Sequence, residues 1–258
     1  MAKLVKILWT GGFDSSCRMI QLSKFDITVQ PYYLVDAKCR RSIENELNAI
    51  SQVKNDIEKH PETRCVIKPL IKADVSELTS DKEIKAAHRR MRKKIGIGMQ
   101  YEWLAGFALR NPGIELCLER EEGGPIFTYF NKTGALRSVG EGVLSCVEFD
   151  KSETEKDLLS VFGNFRFPLS IRTKTKLELV EEYKRLGFED TMYKTWFCHN
   201  PIKGEPCGTC NPCKAVVSDG LQFRMPPAAL KRHAIDIKNE NKIWFRLWKK
   251  IRWRLKGY

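Results

Sequence analysis

The sequence predicts an α/β chain with a parallel-sheet core, followed by a small cysteine-rich module and a basic terminal helix. Three observations carry that prediction. Short apolar runs alternate with stretches of helical periodicity, a glycine turn separates the first run from the first helix, and four of nine cysteines crowd between positions 198 and 213.

Residues 3–9 read as a buried strand that breaks sharply at Thr10-Gly11-Gly12-Phe13-Asp14-Ser15-Ser16, with a helix expected over 15–22. A second strand is expected over 30–36, ending at Asp36. A helix over 42–59 follows, in which Ile43, Leu47, Ile50, Val53 and Ile57 recur at helical spacing. The segments 65–71 and 113–118 give a third and a fourth strand, with a compact apolar helix over 101–109 between them. An amphipathic helix over 177–186 stops at Gly187. Strands alternating with helices imply parallel βαβ units whose ligands bind beyond the C-terminal ends of the strands. The chain divides on this reading into an α/β domain (1–190), a Cys-, Pro- and Gly-rich module (191–227) and a basic tail (228–258).

Composition excludes a disordered chain, since 42% of residues are hydrophobic and 10% aromatic. No uncharged apolar stretch reaches membrane-spanning length, and the N-terminal residues run straight into the glycine turn without room for a signal peptide, which predicts a cytoplasmic protein. The formal net charge of +13 fits a polyanionic ligand and does not by itself separate ATP, pyrophosphate and nucleic acid. Much of it lies in two places, the segment 85–94 and the segment 241–258, the latter with seven Lys or Arg and no acid.

A glycine turn between strand and helix leaves backbone N–H groups at the positive end of the helix dipole, a ready anion site. Gly11 and Gly12 allow close approach of an oxyanion, and the hydroxyls of Thr10, Ser15 and Ser16 add donors. Asp14 would repel a phosphate unless a divalent cation lay between them, which points to Mg²⁺. The turn lacks the glycine spacing of a Walker loop or a dinucleotide fingerprint.

In a reducing compartment nine cysteines are not disulfide staples. Cys17, Cys39, Cys65, Cys117 and Cys146 are scattered and read as small buried hydrophobes. Cys198-x₈-Cys207-Gly-Thr-Cys210-Asn-Pro-Cys213 offers the four thiolates of a closed zinc site, with Gly208 and Pro212 helping the turns. A redox pair at Cys210 and Cys213 or an iron–sulfur cluster are the alternatives. His199 reads as a packing residue.

The turn resembles the Ser-Gly-Gly-x-Asp-Ser signature of the PP-loop ATP pyrophosphatases, with Thr10 in place of the serine. Combined with the cysteine motif, residues 3–220 resemble the 7-cyano-7-deazaguanine synthases, including Asp36, the run Phe167-Pro168-Leu169, Lys176-Leu177-Glu178 and Thr195-Trp196-Phe197-Cys198. The resemblance implies a Rossmann-like core of the adenine nucleotide α-hydrolase type. It implies ATP, Mg²⁺ and Zn²⁺ as cofactors, nucleotide binding by residues 10–16 with Asp36 and Gly98, and catalytic roles for Asp14, Ser15 and Lys176. The implied reaction is adenylation of a 7-carboxy-7-deazaguanine-type acid, with release of pyrophosphate and attack by ammonia. The family's Gly-Arg-Asn element is absent from 95–102, and the loop from Glu119 differs from the family's, so the acyl substrate and the amine stay open. Divergent relatives from antiviral operons imply another amine as acceptor, a protein's included. A PP-loop enzyme that modifies tRNA is the competing enzymatic reading, with RNA as partner.

The tail sets Trp244, Leu247, Trp248, Ile251 and Leu255 on one helical stripe among Arg246, Lys249, Lys250 and Arg252. Such a segment could dock on its own domain, a dimer mate or another protein, lie on an anionic membrane, or grip nucleic acid.

Overall fold

A computed structural model describes residues 3–78, 81–120, 124–239 and 242. The expected tail stripe therefore lies outside the described residues. Among them the chain forms an α/β fold with a mostly parallel central sheet and 11 α-helices.

Strand β1 (Leu4–Leu8) runs parallel to β2 (Thr28–Val35) on one side and to β5 (Ile114–Glu115) on the other. The expected third strand is divided. Val66–Ile67 (β3) and Ile71–Asp74 (β4) each pair parallel with β2, and Pro69, which has no N–H to donate, stands between them. The expected fourth strand contracts to β5, which pairs parallel with β8 (Phe165–Pro168). An antiparallel extension that periodicity does not announce completes that side, with β7 (Cys146–Phe149) against β8 and β6 (Leu136–Val139) against β7.

Each βα connection covers the sheet. Helices α1 (Phe13–Ser23) and α2 (Ile43–Lys59) pack on one face, where Val5, Ile7, Val29 and Tyr33 join Ile20, Val53 and Ile57 in one apolar cluster. Helices α3 (Lys82–Ile95), α4 (Gln100–Arg110), α5 (Pro125–Thr133) and α6 (Lys156–Phe162) serve the other face, against Leu8, Leu34, Ile114, Phe165 and Phe167. The period-2 alternation of the strands sends successive side chains to opposite clusters. After β8 come α7 (Leu169–Arg172), α8 (Lys176–Arg185), α9 (Glu189–Lys194), α10 (Asn211–Ser218) and α11 (Pro227–Asn239).

Two features fix the central strands. Arg18 on α1 makes a fork of two hydrogen bonds to the buried Glu115 of β5, at 2.7 and 2.8 Å, and its third nitrogen donates to Val143 O and Ser170 Oγ. The cysteine module packs on the same face of the sheet as α1. Cys198, Cys207, Cys213, Leu221, Met225 and Ala229 belong to the apolar cluster that covers β1 and α1. No helix among the described residues is long and apolar enough to cross a membrane.

Candidate functional site

The chain crosses from β1 to β2 on one side and to β5 on the other, so the C-terminal end of β1 is a topological switch point with a crevice beside it. The glycine turn occupies that crevice. Gly11 has a φ of +69°, and a Cβ there would lie 2.6 Å from Glu46 O on α2, so glycine is required by conformation and by packing. No side chain caps the N-terminus of α1, which leaves its first-turn N–H groups for an incoming anion. Thr10 Oγ1 accepts from Gly12 N–H at 3.3 Å and lies 3.5 Å from Ser15 Oγ, which holds both hydroxyls at the turn. Ser16 differs from the expectation of a phosphate donor. It is buried, and its hydroxyl accepts from Trp9 Nε1 at 3.0 Å. The Phe13 ring is also turned inward, onto Tyr183.

Lys176, the first residue of α8, brings its ammonium to 2.5 and 2.6 Å from the two oxygens of Asp14 and 3.2 Å from Glu119. A capping box at Thr175 and Glu178 holds this helix end. Burial pushes the Asp14 carboxyl up to about 7; the Glu119 carboxylate adds to the rise and Lys176 opposes it. Burial also works against ionisation of Glu119, but Lys176 and a hydrogen bond with Asp14 outweigh it and keep this group below its ordinary range. Burial opposes the charge of Lys176 too, yet the two carboxylates prevail and raise its pKa. Two acidic groups thus face one ammonium here. Asp14 and Glu119 could hold a hard, oxygen-seeking cation such as Mg²⁺ here.

Two cavities meet at the turn. The smaller, about 230 Å³, is floored by Thr10, Gly12 and Ser15 and walled by Tyr32, Leu34, Tyr101, Trp103, Leu116 and Leu118. The larger, about 960 Å³, lies between Lys176, Glu119 and the cysteine module. Asp14, Arg40, Gln100, Phe197 and His199 line both. Arg40 is held by Glu46, which also accepts from Tyr33 and Ser42. Asp36 and Gly98 stand apart from both linings. Asp36 accepts from Cys39 N–H in the turn after β2, and the carbonyl of Gly98 pairs with His88 Nε2 at 3.0 Å.

The four cysteine sulfurs lie within 4.8 Å of one another. Separations of 3.4, 3.8 and 3.9 Å bracket the value of about 3.8 Å for sulfurs at tetrahedral corners 2.3 Å from zinc. Backbone N–H groups of Cys207, Gly208, Thr209 and Cys210 point at the sulfurs. Hydrogen bonds from the Cys198, Cys210 and Cys213 side chains pull the Cys207 thiol far below its ordinary range. Gly208 has a φ of +82°, and a Cβ there would meet Ala229 O at 2.2 Å, so α11 packs directly on the knuckle. Arg232 of that helix donates to the carbonyls of Pro206 and Cys207. This group could hold a zinc ion, and its donor set leaves no open position for substrate.

The module also reaches the turn. Trp196 N–H donates to Gly11 O at 2.9 Å. Arg224 lies with its guanidinium 4.8 Å from the Phe13 ring centroid and 5.2 Å from that of Phe197, donates to Thr195 O, and lines the larger cavity. Its Nε is buried without a hydrogen-bond partner among the described residues, and burial lowers its pKa to about 10. Sequence reasoning missed Arg18, Arg40, Glu119 and Arg224. It also read His199 as packing, where the structure sets it on the wall of both cavities. No family model matches this chain, and no curated protein does.

Proposed function

We propose that this chain binds ATP at the glycine turn and transfers its adenylyl group to a carboxylate, releasing pyrophosphate, as the PP-loop ATP pyrophosphatases do. The observation that carries the reading is the clasp of Asp14, Glu119 and Lys176 beside an uncapped helix N-terminus at the switch point of the sheet. In this reading the core is of the Rossmann-like, adenine nucleotide α-hydrolase type. The slot of Tyr32, Tyr101 and Trp103 takes the flat base, and the first-turn N–H groups with Thr10 and Ser15 take the phosphates.

A carboxylate is a poor electrophile, and an acyl-adenylate gives it a good leaving group. Lys176 and Arg224 supply fixed positive charge where the departing pyrophosphate gathers negative charge, in a partly enclosed site where such charge counts most. A divalent cation held by Asp14 and Glu119 would supply Lewis-acid neutralisation of the phosphates. The larger cavity takes the acid and admits the amine. A 7-carboxy-7-deazaguanine-type acid is the preferred substrate, with ammonia or a protein amine as acceptor.

Incubation of the full chain with ATP, Mg²⁺ and candidate acids tests the proposal through its nucleotide product. AMP and pyrophosphate, formed only when acid is present, support it. ADP and phosphate overturn it. The mass of the acyl product, with ammonia or with a protein amine, identifies the acceptor.

A further inference from the structure

Helix α3 carries seven Lys or Arg residues over fourteen positions, Lys82 to Ile95, and they fall into two sets with opposite surroundings. Arg90 is forked onto Asp157, and Lys94 bonds Tyr129 and Glu155. Lys82, Lys85, Arg89, Arg92 and Lys93 are exposed, and their side chains make no ion pair or hydrogen bond with any described residue. At 100° per residue these five fall within an arc of roughly 100°, on the face away from the buried Ile84, Ala87, His88 and Met91. The helix is thus anchored on one side, ion-paired on its flank, and bare and cationic on the third.

Five unpaired like charges on one helix face repel one another and lower stability, with no compensation inside the described fold. From Lys82 to Lys93 the stripe rises about 16 Å. A nucleic-acid strand presents one phosphate about every 3.4 Å of duplex axis, or about five over that length, which matches the five cations. An acidic polypeptide would need an unbroken run of acids to offer the same density. No apolar side chain interrupts the stripe to enter a lipid surface. The C-terminal end of α3 leads through Gly96 to Gln100, which lines both cavities.

We infer that the outer face of α3 is a sequence-independent docking surface for the phosphate backbone of a nucleic acid, independent of the ATP chemistry proposed above. The test uses the full, zinc-loaded chain and fluorescein-labelled 20-mers of double-stranded RNA, double-stranded DNA and single-stranded RNA, with anisotropy read from 50 to 300 mM salt. The triple variant Lys85→Glu, Arg89→Glu, Arg92→Glu should bind about 100-fold more weakly at 100 mM salt. Its log–log salt slope should be shallower by about 3. The milder Lys85→Gln, Arg89→Gln, Arg92→Gln set should lose about ten-fold and match or exceed the wild-type melting temperature, since it relieves repulsion. AMP formation from free substrates should be unchanged in both. Which oligonucleotide binds tightest separates duplex from single strand and RNA from DNA. Equal binding by wild type and the folded Gln variant overturns the assignment, and so does capture of a poly-glutamate chain in place of every oligonucleotide.

Discussion

At Lys176 a single ammonium faces two carboxylates, and this decides what its removal does. Lys176→Met keeps the length of the side chain and deletes the charge. We predict a fall in AMP-forming turnover of about 10²–10³-fold, the usual cost of losing one preorganised charge at a transition state. Zinc content and the circular dichroism spectrum should stay unchanged; loss of both would make Lys176 a structural residue. Lys176 was legible in the sequence only through resemblance, whereas Glu119 was not legible at all. A glutamate in an irregular loop has no periodicity to betray it, and its meaning arises only when β5 delivers it beside Asp14, at the neighbouring strand end.

The pairing of elements rests on a few buried charges. The Arg18–Glu115 fork binds α1 to β5 and so sets the crevice where the glycine turn lies. Removing one partner leaves the other charged and buried, and Arg18→Met should destabilise the fold by about 3–5 kcal/mol in denaturant unfolding. The double change Arg18→Met, Glu115→Leu should recover much of that loss; a double variant no better than the single one would refute the pairing argument. Glu182 of α8 plays a similar part toward α1. Burial opposes its charge, but hydrogen bonds from Arg185, Lys174 and Gln21 outweigh burial and depress its pKa to about 2. A depressed folded-state pKa contributes stability above the unfolded value, near 4.3, and that contribution is lost as pH falls toward 2. Glu182→Gln should therefore lower the melting temperature at pH 6 and flatten its acid fall between about pH 4.3 and 2. An unchanged acid limb would show that other carboxylates set it. The extents of α1, α2, α4 and α8 were readable to within two residues from helical periodicity and stop signals. The short strands β3 to β8 were poorly readable, because two to four residues hold too little pattern to register a period of two.

For the molecule as a whole, the cysteine module packs against the glycine turn and its crevice. Arg224, Phe197 and His199 line the larger cavity from the module, and Trp196 bonds the glycine turn itself. Stripping the metal with a chelator should thus lower ATP turnover as well as melting temperature, although a closed four-thiolate site does no chemistry on substrate. Cys210→Ser should do the same and bring metal content below one zinc per chain; full turnover in a metal-free chain would uncouple the two sites. The sequence alone determined the strand–turn–helix opening, the α/β class and the four-cysteine cluster. These depend on local spacing, where neighbouring residues meet whatever the rest of the chain does. Tertiary structure alone decided that the glycine turn and the cysteine knuckle share one apolar cluster, that Glu119 and Arg224 join Asp14 and Lys176, and that Ser16 faces inward. Apart from Ser16, whose partner Trp9 is seven residues away, these contacts link residues far apart in the chain, and side-chain identity along a sequence holds no record of which distant partner the packing of a sheet brings within reach.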